Sequence, residues 1–133
     1  MSQENIEATQ RIIEKFNQRD LSDWEAEYAP DYEFFPRLMG AMEGESFQGR
    51  EGMERYFQMV EDIFDEWRVV AEEVRELPGQ VLVRLRVEGR GRGSDVPVVG
   101  SQSVLIDFRD GRVSRTRSYL DEGEALQAAG IDK

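Results

Sequence analysis

The sequence contains no cysteine and no histidine. Without thiols there is no disulfide framework, no thiol nucleophile and no thiolate metal site. Without imidazole the commonest general base and metal ligand is missing. No apolar run is long enough to cross a bilayer, and the first residues lack the pattern of a signal peptide, so a cytoplasmic protein is expected. Bases are scarce as well: the formal net charge is −11, and the acidic excess lies before Trp67, with acids and bases in balance after it. Such a surface repels nucleic acid and anionic membrane. Most of the acids are expected on solvated helix faces. No metal and no cofactor is expected.

What is present fits one domain spanning residues 1–133, large enough for a real core. The chain is organised around residues 47–67. Met53, Tyr56, Phe57, Val60, Ile63, Phe64 and Trp67 recur there at intervals of three and four. That spacing predicts a helix with one wide apolar stripe, which must lie on something. Gly49 is placed to cap its start, and Glu51 falls in the first turn, where the helix dipole favours an anion.

Upstream, residues 4–19 read as a first helix with Ile6, Ile13 and Phe16 on one side and Ile12 beside them. Asp20 is expected to cap a short second helix whose apolar side is Leu21, Trp24 and Tyr28, ended by Pro30. Residues 32–36 are rich in aromatics and read as a strand. Residues 37–46, with Met39 and Met42, read as an apolar loop of the kind that lies over a cavity.

After Trp67 the period changes from helical to alternating. Val81, Val83, Leu85 and Val87 share one strand face, against Arg84, Arg86 and Glu88 on the other. Pro78-Gly79 makes a turn that sets Val74 opposite Val83 and Glu73 opposite Arg84. Residues 89–99 form a Gly-rich connection, and Arg90-Gly91-Arg92-Gly93 reads as a hairpin arm rather than an RNA-binding tract. Gln102, Val104, Ile106 and Phe108 alternate along another strand, and Asp110-Gly111 is a strong hairpin signal before a last strand at 113–120. Helices first and antiparallel strands later predict an α+β layer fold: a curved antiparallel sheet packed against three N-terminal helices, open at one end around a cavity.

Gln10–Asp20 (QRIIEKFNQRD), Tyr28-Ala29-Pro30-Asp31, Phe47-Gln48-Gly49-Arg50-Glu51-Gly52 and Asp110-Gly111-Arg112-Val113 with Tyr119-Leu120-Asp121 resemble the nuclear transport factor 2-like superfamily. Its SnoaL-like and ketosteroid-isomerase-like branches are the most similar. The resemblance implies a cone-shaped, cystatin-like domain, a homodimer and one hydrophobic pocket. It does not imply one activity, because the fold serves isomerases, dehydratases, cyclases and non-enzymes. Carried over residue by residue, the isomerase's oxyanion tyrosine falls on Ile12, its carboxylate base on Pro36 and its protonated acid on Val104. None of these can move a proton. The Asp/His pair of polyketide-cyclase relatives cannot exist without histidine.

The expected pocket lining is Ile12, Phe16, Trp24, Phe34, Met39 and Met42, with Tyr56, Val104 and Ile106. The last strand has two possible phases. A strict two-residue turn puts Arg115, Arg117 and Tyr119 inside; a one-residue bulge puts Ser114, Thr116, Ser118 and Leu120 inside. Two buried arginines would be expensive, and the resemblance implies the second phase. Thr116, Ser118 and Gln102 then become ligand-orienting groups. Arg84, Arg86, Arg115, Arg117 and Tyr119 then form an outer sheet face suited to a dimer contact, or to an ion-pair lattice with Glu73 and Asp107. Glu72, inward in the hairpin register, and Asp121 are the candidate general bases.

The expected function is binding of a small hydrophobic molecule, without a standard catalytic dyad. The first alternative is an isomerase, cyclase or dehydratase-type enzyme acting on a hydrophobic cyclic or polyketide-like compound. The second is a non-catalytic association module with a filled cone.

Overall fold

The computed structural model describes residues 2–36 and 46–130. Helix α1 spans Ser2–Gln18 and α2 spans Trp24–Glu27; strand β1, Tyr28–Phe35, follows at once. Strand β2 is the pair Phe47–Gln48, leading into helix α3, Gly49–Ile63. Then come β3, Phe64–Leu77, β4, Gln80–Gly91, β5, Pro97–Arg109, β6, Arg112–Tyr119, and a last helix α4, Glu122–Ala128. The six strands form one curved, unclosed sheet in the order β2-β1-β6-β5-β4-β3.

The predicted hairpin register is the observed one: Val74 pairs with Val83 and Glu73 with Arg84. Two corrections concern where helices stop. The second helix is only four residues long, and Asp20 does not cap it; its carboxylate accepts instead from the Ser22 amide at 2.9 Å, closing a turn. Pro30 lies inside β1 and does not end the helix. Helix α3 ends at Ile63, so Phe64 and Trp67 belong to the sheet and Ile63 is 44% exposed. Their spacing continues the helical stripe by coincidence; pairing of Phe64 with Gly91 outweighs it. The entry is also shifted by one residue: Gln48 is the cap position, and Gly49 takes the left-handed φ of 67° that turns strand into helix.

The Gly-rich arm is more ordered than its composition suggests. Arg90 pairs with Glu66 at 2.8 Å, and the Arg92 guanidinium donates to the Glu61 carbonyl. The Arg92 amide donates to the Ile63 carbonyl at 2.9 Å. Helix α3 has no basic residue in its own last turn, so Arg92 brings the cation that its C-terminal carbonyls favour.

The larger core lies on the concave face, where Ile12 of α1 and Tyr56, Phe57 and Val60 of α3 meet Val83 and Val104. The convex face carries a smaller cluster in which Ala125 and Leu126 of α4 cover Leu77, Leu82 and Leu105. One pairing departs from an all-antiparallel sheet: β1 runs parallel to β6.

Helices α1 and α2 are fastened by Glu27, 8% exposed. It accepts from Arg11 at 2.6 and 2.9 Å, with Lys15 at 3.7 Å. The Arg11 hydrogen bond holds its carboxyl below the usual range. A carboxyl lowered in the folded state stabilises above its unfolded value of about 4.3, and this contribution is lost as pH falls through the folded value. Glu27→Gln is therefore expected to lower the urea midpoint at pH 7. The gap from the parent protein should narrow below about pH 4; a gap that stays constant on acidification would contradict this assignment.

Candidate functional site

Under the helices, the concave face keeps a cavity with about 80 Å³ open to the centres of water-sized molecules. One water needs about 10–15 Å³ on that scale, so the space exceeds a packing defect. Helix α1 presents Ile12, Ile13 and Phe16; α3 presents Met53 and Tyr56, one turn apart. The sheet supplies Val69, Val83, Val87, Val104 and Ile106, and β1 supplies Tyr28, Tyr32 and Phe34. Gln102 and Ser118 are the polar contributions from β5 and β6.

The aromatic rings hold one another edge to face. The Tyr56 and Phe34 centroids are 5.0 Å apart at 82°, and Phe16 meets Phe57 at 5.3 Å and 63°. Rings set this way gain quadrupole attraction beyond their buried area. Trp24 stacks on Tyr28 at 3.9 Å and 11°, fixing the ring at the cavity edge. The Tyr32 hydroxyl donates to Thr116 Oγ1 at 2.9 Å. Burial pushes the phenols of Tyr28, Tyr32 and Tyr56 above the ordinary range. They are neutral donors at physiological pH.

Phe16, Phe34, Tyr56, Gln102, Val104 and Ser118 thus lie together on the lining, with Ile12 and Ile106. Trp24 does not; it backs Tyr28 from outside the cavity. Thr116 is 8% exposed and faces inward, but its hydroxyl is occupied by Tyr32 rather than turned to the cavity. Met39 and Met42 lie outside the described residues. The phase of β6 is set by a bulge: Phe108 pairs with Val113 and Asp107 with Arg115, leaving Ser114 as the extra residue. Ser118 then faces Val104, while Leu120 falls beyond the strand and is 56% exposed.

Both candidate bases are elsewhere. A bulge between Ala71 and Glu73 leaves Glu72 unpaired in β3, and its carboxylate lies between Arg84 and Arg86 on the convex face. Strict alternation had carried it inward. Asp121 caps α4, accepting from the Gly123 amide at 2.6 Å. Among the described residues the lining carries no carboxylate, lysine or arginine. Ile12, Pro36 and Val104, onto which the resemblance maps an isomerase's three catalytic groups, all border the cavity.

The convex face is part lattice, part cover. Arg84 pairs with Glu73 at 2.8 Å, Arg86 with Glu88 at 2.8 Å, and Arg115 with Asp107 at 2.8 Å. Tyr119, expected on an open contact face, packs instead against the cluster under α4, and the Arg117 side chain is 18% exposed.

Tyr28, Tyr32 and Trp67 are lining residues that the sequence reading missed. Tyr32, Phe34 and Pro36 alternate, a signal that could have brought Tyr32 to the inner face. Trp67 gave no such sign, because it also fits the helical stripe.

Residues 9–116 match the family model described as a SnoaL-like domain. This chain belongs to that family. No curated protein sequence matches the SnoaL-like chain at a significant level. Among solved structures it resembles an NTF2-like protein of unknown function from Burkholderia pseudomallei, 20% identical, with 96% of this chain and 97% of that one covered and a TM-score of 0.76. It also resembles TerC crystallised with polyporic acid, 22% identical over 93% and 96% of the two chains, TM-score 0.74. A third is a protein from a Jannaschia species provisionally named a SnoaL-like polyketide cyclase, 20% identical over 99% and 95%, TM-score 0.70. At these identities the likeness is one of fold. No helix of the described residues is long and apolar enough to cross a membrane.

Proposed function

We propose that this SnoaL-like chain is a cytoplasmic homodimer whose cavity holds one compact hydrophobic molecule and which performs no acid–base chemistry on it. The observation that carries this reading is the lining itself. Aromatic and aliphatic side chains surround open space, and a few hydroxyl groups border it. A binding role is favoured over an association module with a filled cone, because the described residues leave open space in the cone. An enzyme using Glu72 or Asp121 is disfavoured, because both carboxylates sit outside the cavity. The dimer contact is inferred on the strip of the convex face that α4 leaves open, around Arg84, Arg86 and Arg115.

Native mass spectrometry after incubation with a mixture of compact aromatic compounds tests both parts. Dimers carrying one guest per chain are expected. A chain that takes up none of them would overturn the binding role, and a monomer at micromolar concentration would overturn the dimer.

A further inference from the structure

Strand β5 is longer than the strand beside it. β6 pairs with β5 from Ser103 to Arg109, and residues 97–102 pair with β4 alone. The Phe108 amide donates to the Gly79 carbonyl, on the β4 side. Because β4 and β5 pair without a slip, backbone groups alternate sides from there. Even-numbered residues of β5 turn theirs to β4, and Val99 and Ser101 turn theirs to the open side. Neither amide has a partner among the described residues. Pro97, which has no amide hydrogen, falls on the open side too, where an edge proline is tolerated.

The open edge of β3 and this one are treated differently. β3 carries Glu66, Arg68, Glu73 and Arg75 and is bonded along its rim by Asn17. Charges and covers of this kind protect an edge against strand addition. The β5 edge has neither. Residues 96–106 are the longest uncharged run in a chain that is 34% charged. Among the described residues, three of the four exposed large hydrophobic side chains gather here: Val96 at 69%, Val99 at 66%, and Leu120 just past the end of β6.

A second copy of the chain fits this edge. Each copy carries a net charge of −11, so two copies meet at least cost where charge is absent. Antiparallel pairing about a two-fold axis through Val99 is self-complementary. It sets Val99 against the partner's Val99 and Pro97 against the partner's Ser101. Both open amides of each chain then find a carbonyl, and Val96 is carried toward the partner's Leu120.

We propose that residues 97–101 of β5 pair with the same residues of a second copy, joining two sheets edge to edge. This contact is additional to the convex-face dimer proposed above. Its axis is perpendicular to the sheet, whereas the axis between two convex faces runs parallel to them, so the two contacts together can close a tetramer.

So short a contact is weak, with a dissociation constant on the order of 100 µM. Analytical ultracentrifugation from about 5 to about 500 µM is expected to show the mass doubling. Ser101→Pro removes an amide that the single chain does not use, and is expected to abolish the doubling with the circular dichroism spectrum unchanged. Hydrogen exchange over residues 97–102 of the parent protein gives a reading that needs no variant. It is expected to slow about threefold between the low and the high concentration. A mass that stays constant over this range overturns the edge contact. So does a doubling that persists in folded Ser101→Pro, since it belongs to another face. Exchange equally slow at both concentrations overturns it as well, since the edge is then covered within one chain. The mass at the low concentration reads the convex-face dimer by itself, so the two contacts fail separately.

Discussion

Replacing Asp107 with alanine is expected to cost about 3 kcal/mol of folding stability, enough to lower the melting temperature by roughly 10 °C. Its carboxylate, on a side chain 15% exposed, accepts from Gln80 at 2.8 Å and from Arg115 at 2.8 Å. It also faces Arg117 at 3.4 Å. Arg115 is 44% exposed and can turn to water, whereas Arg117 is 18% exposed and cannot. The Arg117 Nε is already buried without a partner among the described residues. Removing Asp107 strands that charge, and a stranded charge costs more than the pair contributes. The same logic predicts the rescue. Adding Arg117→Met to Asp107→Ala should recover most of the loss, because the uncompensated cation goes with it. Urea unfolding of the two variants decides. A loss below about 0.5 kcal/mol for Asp107→Ala, or no recovery in the double variant, would show that the cluster is solvated.

The second large effect is expected at the β3 edge of the sheet. Among the described residues β3 has no strand beyond it, and Asn17 of α1 reaches that open edge. The Asn17 side chain donates to the Val69 carbonyl and accepts from the Val69 amide, both at 2.9 Å, as a neighbouring strand would. Beside it, Arg19 donates to the Trp67 carbonyl at 3.3 Å. Asn17→Leu keeps the branched heavy-atom skeleton and leaves a donor and an acceptor unpaired at once, for a cost of about 2–4 kcal/mol. Asn17→Asp keeps the acceptor alone and should fall between. Hydrogen exchange at the Val69 amide gives the local reading. Faster exchange there in Asn17→Leu, beyond the change at other β3 amides, is the expected result, and unchanged protection would refute the role.

Residues that speak through local pattern were legible in the sequence. The Val74–Val83 register followed from a turn dipeptide and two alternating strands, and the first helix followed from the spacing of Ile12 and Phe16. The errors share a cause, which is that a distant contact decides a local state. Trp67 fits a helix by spacing, yet β4 pairs with that segment and Arg92 closes the helix before it. Glu72 fits an inner position until one extra residue in β3 shifts the phase. Trp24 has the size of a pocket residue, but what it touches is Tyr28, and Tyr28 reaches the cavity. Hydrophobic period reports which side of an element is apolar; it does not report whether a neighbouring ring stands between that side and the hollow.

Irregularities are confined to the flanks of the sheet. The pairing of β4 with β5 runs from Gln80–Asp107 to Arg90–Pro97 without a slip. Register shifts occur where β3 joins β4, where β6 joins β5 and where β1 joins β6. Extra residues bend a strand and tighten its twist, so a straight spine carries two curling wings. Glu72 and Ser114 are two of the extra residues, and neither borders the cavity. Capacity and chemistry are thus encoded separately, and a shorter wing would shrink the chamber while leaving its furnishings as they are.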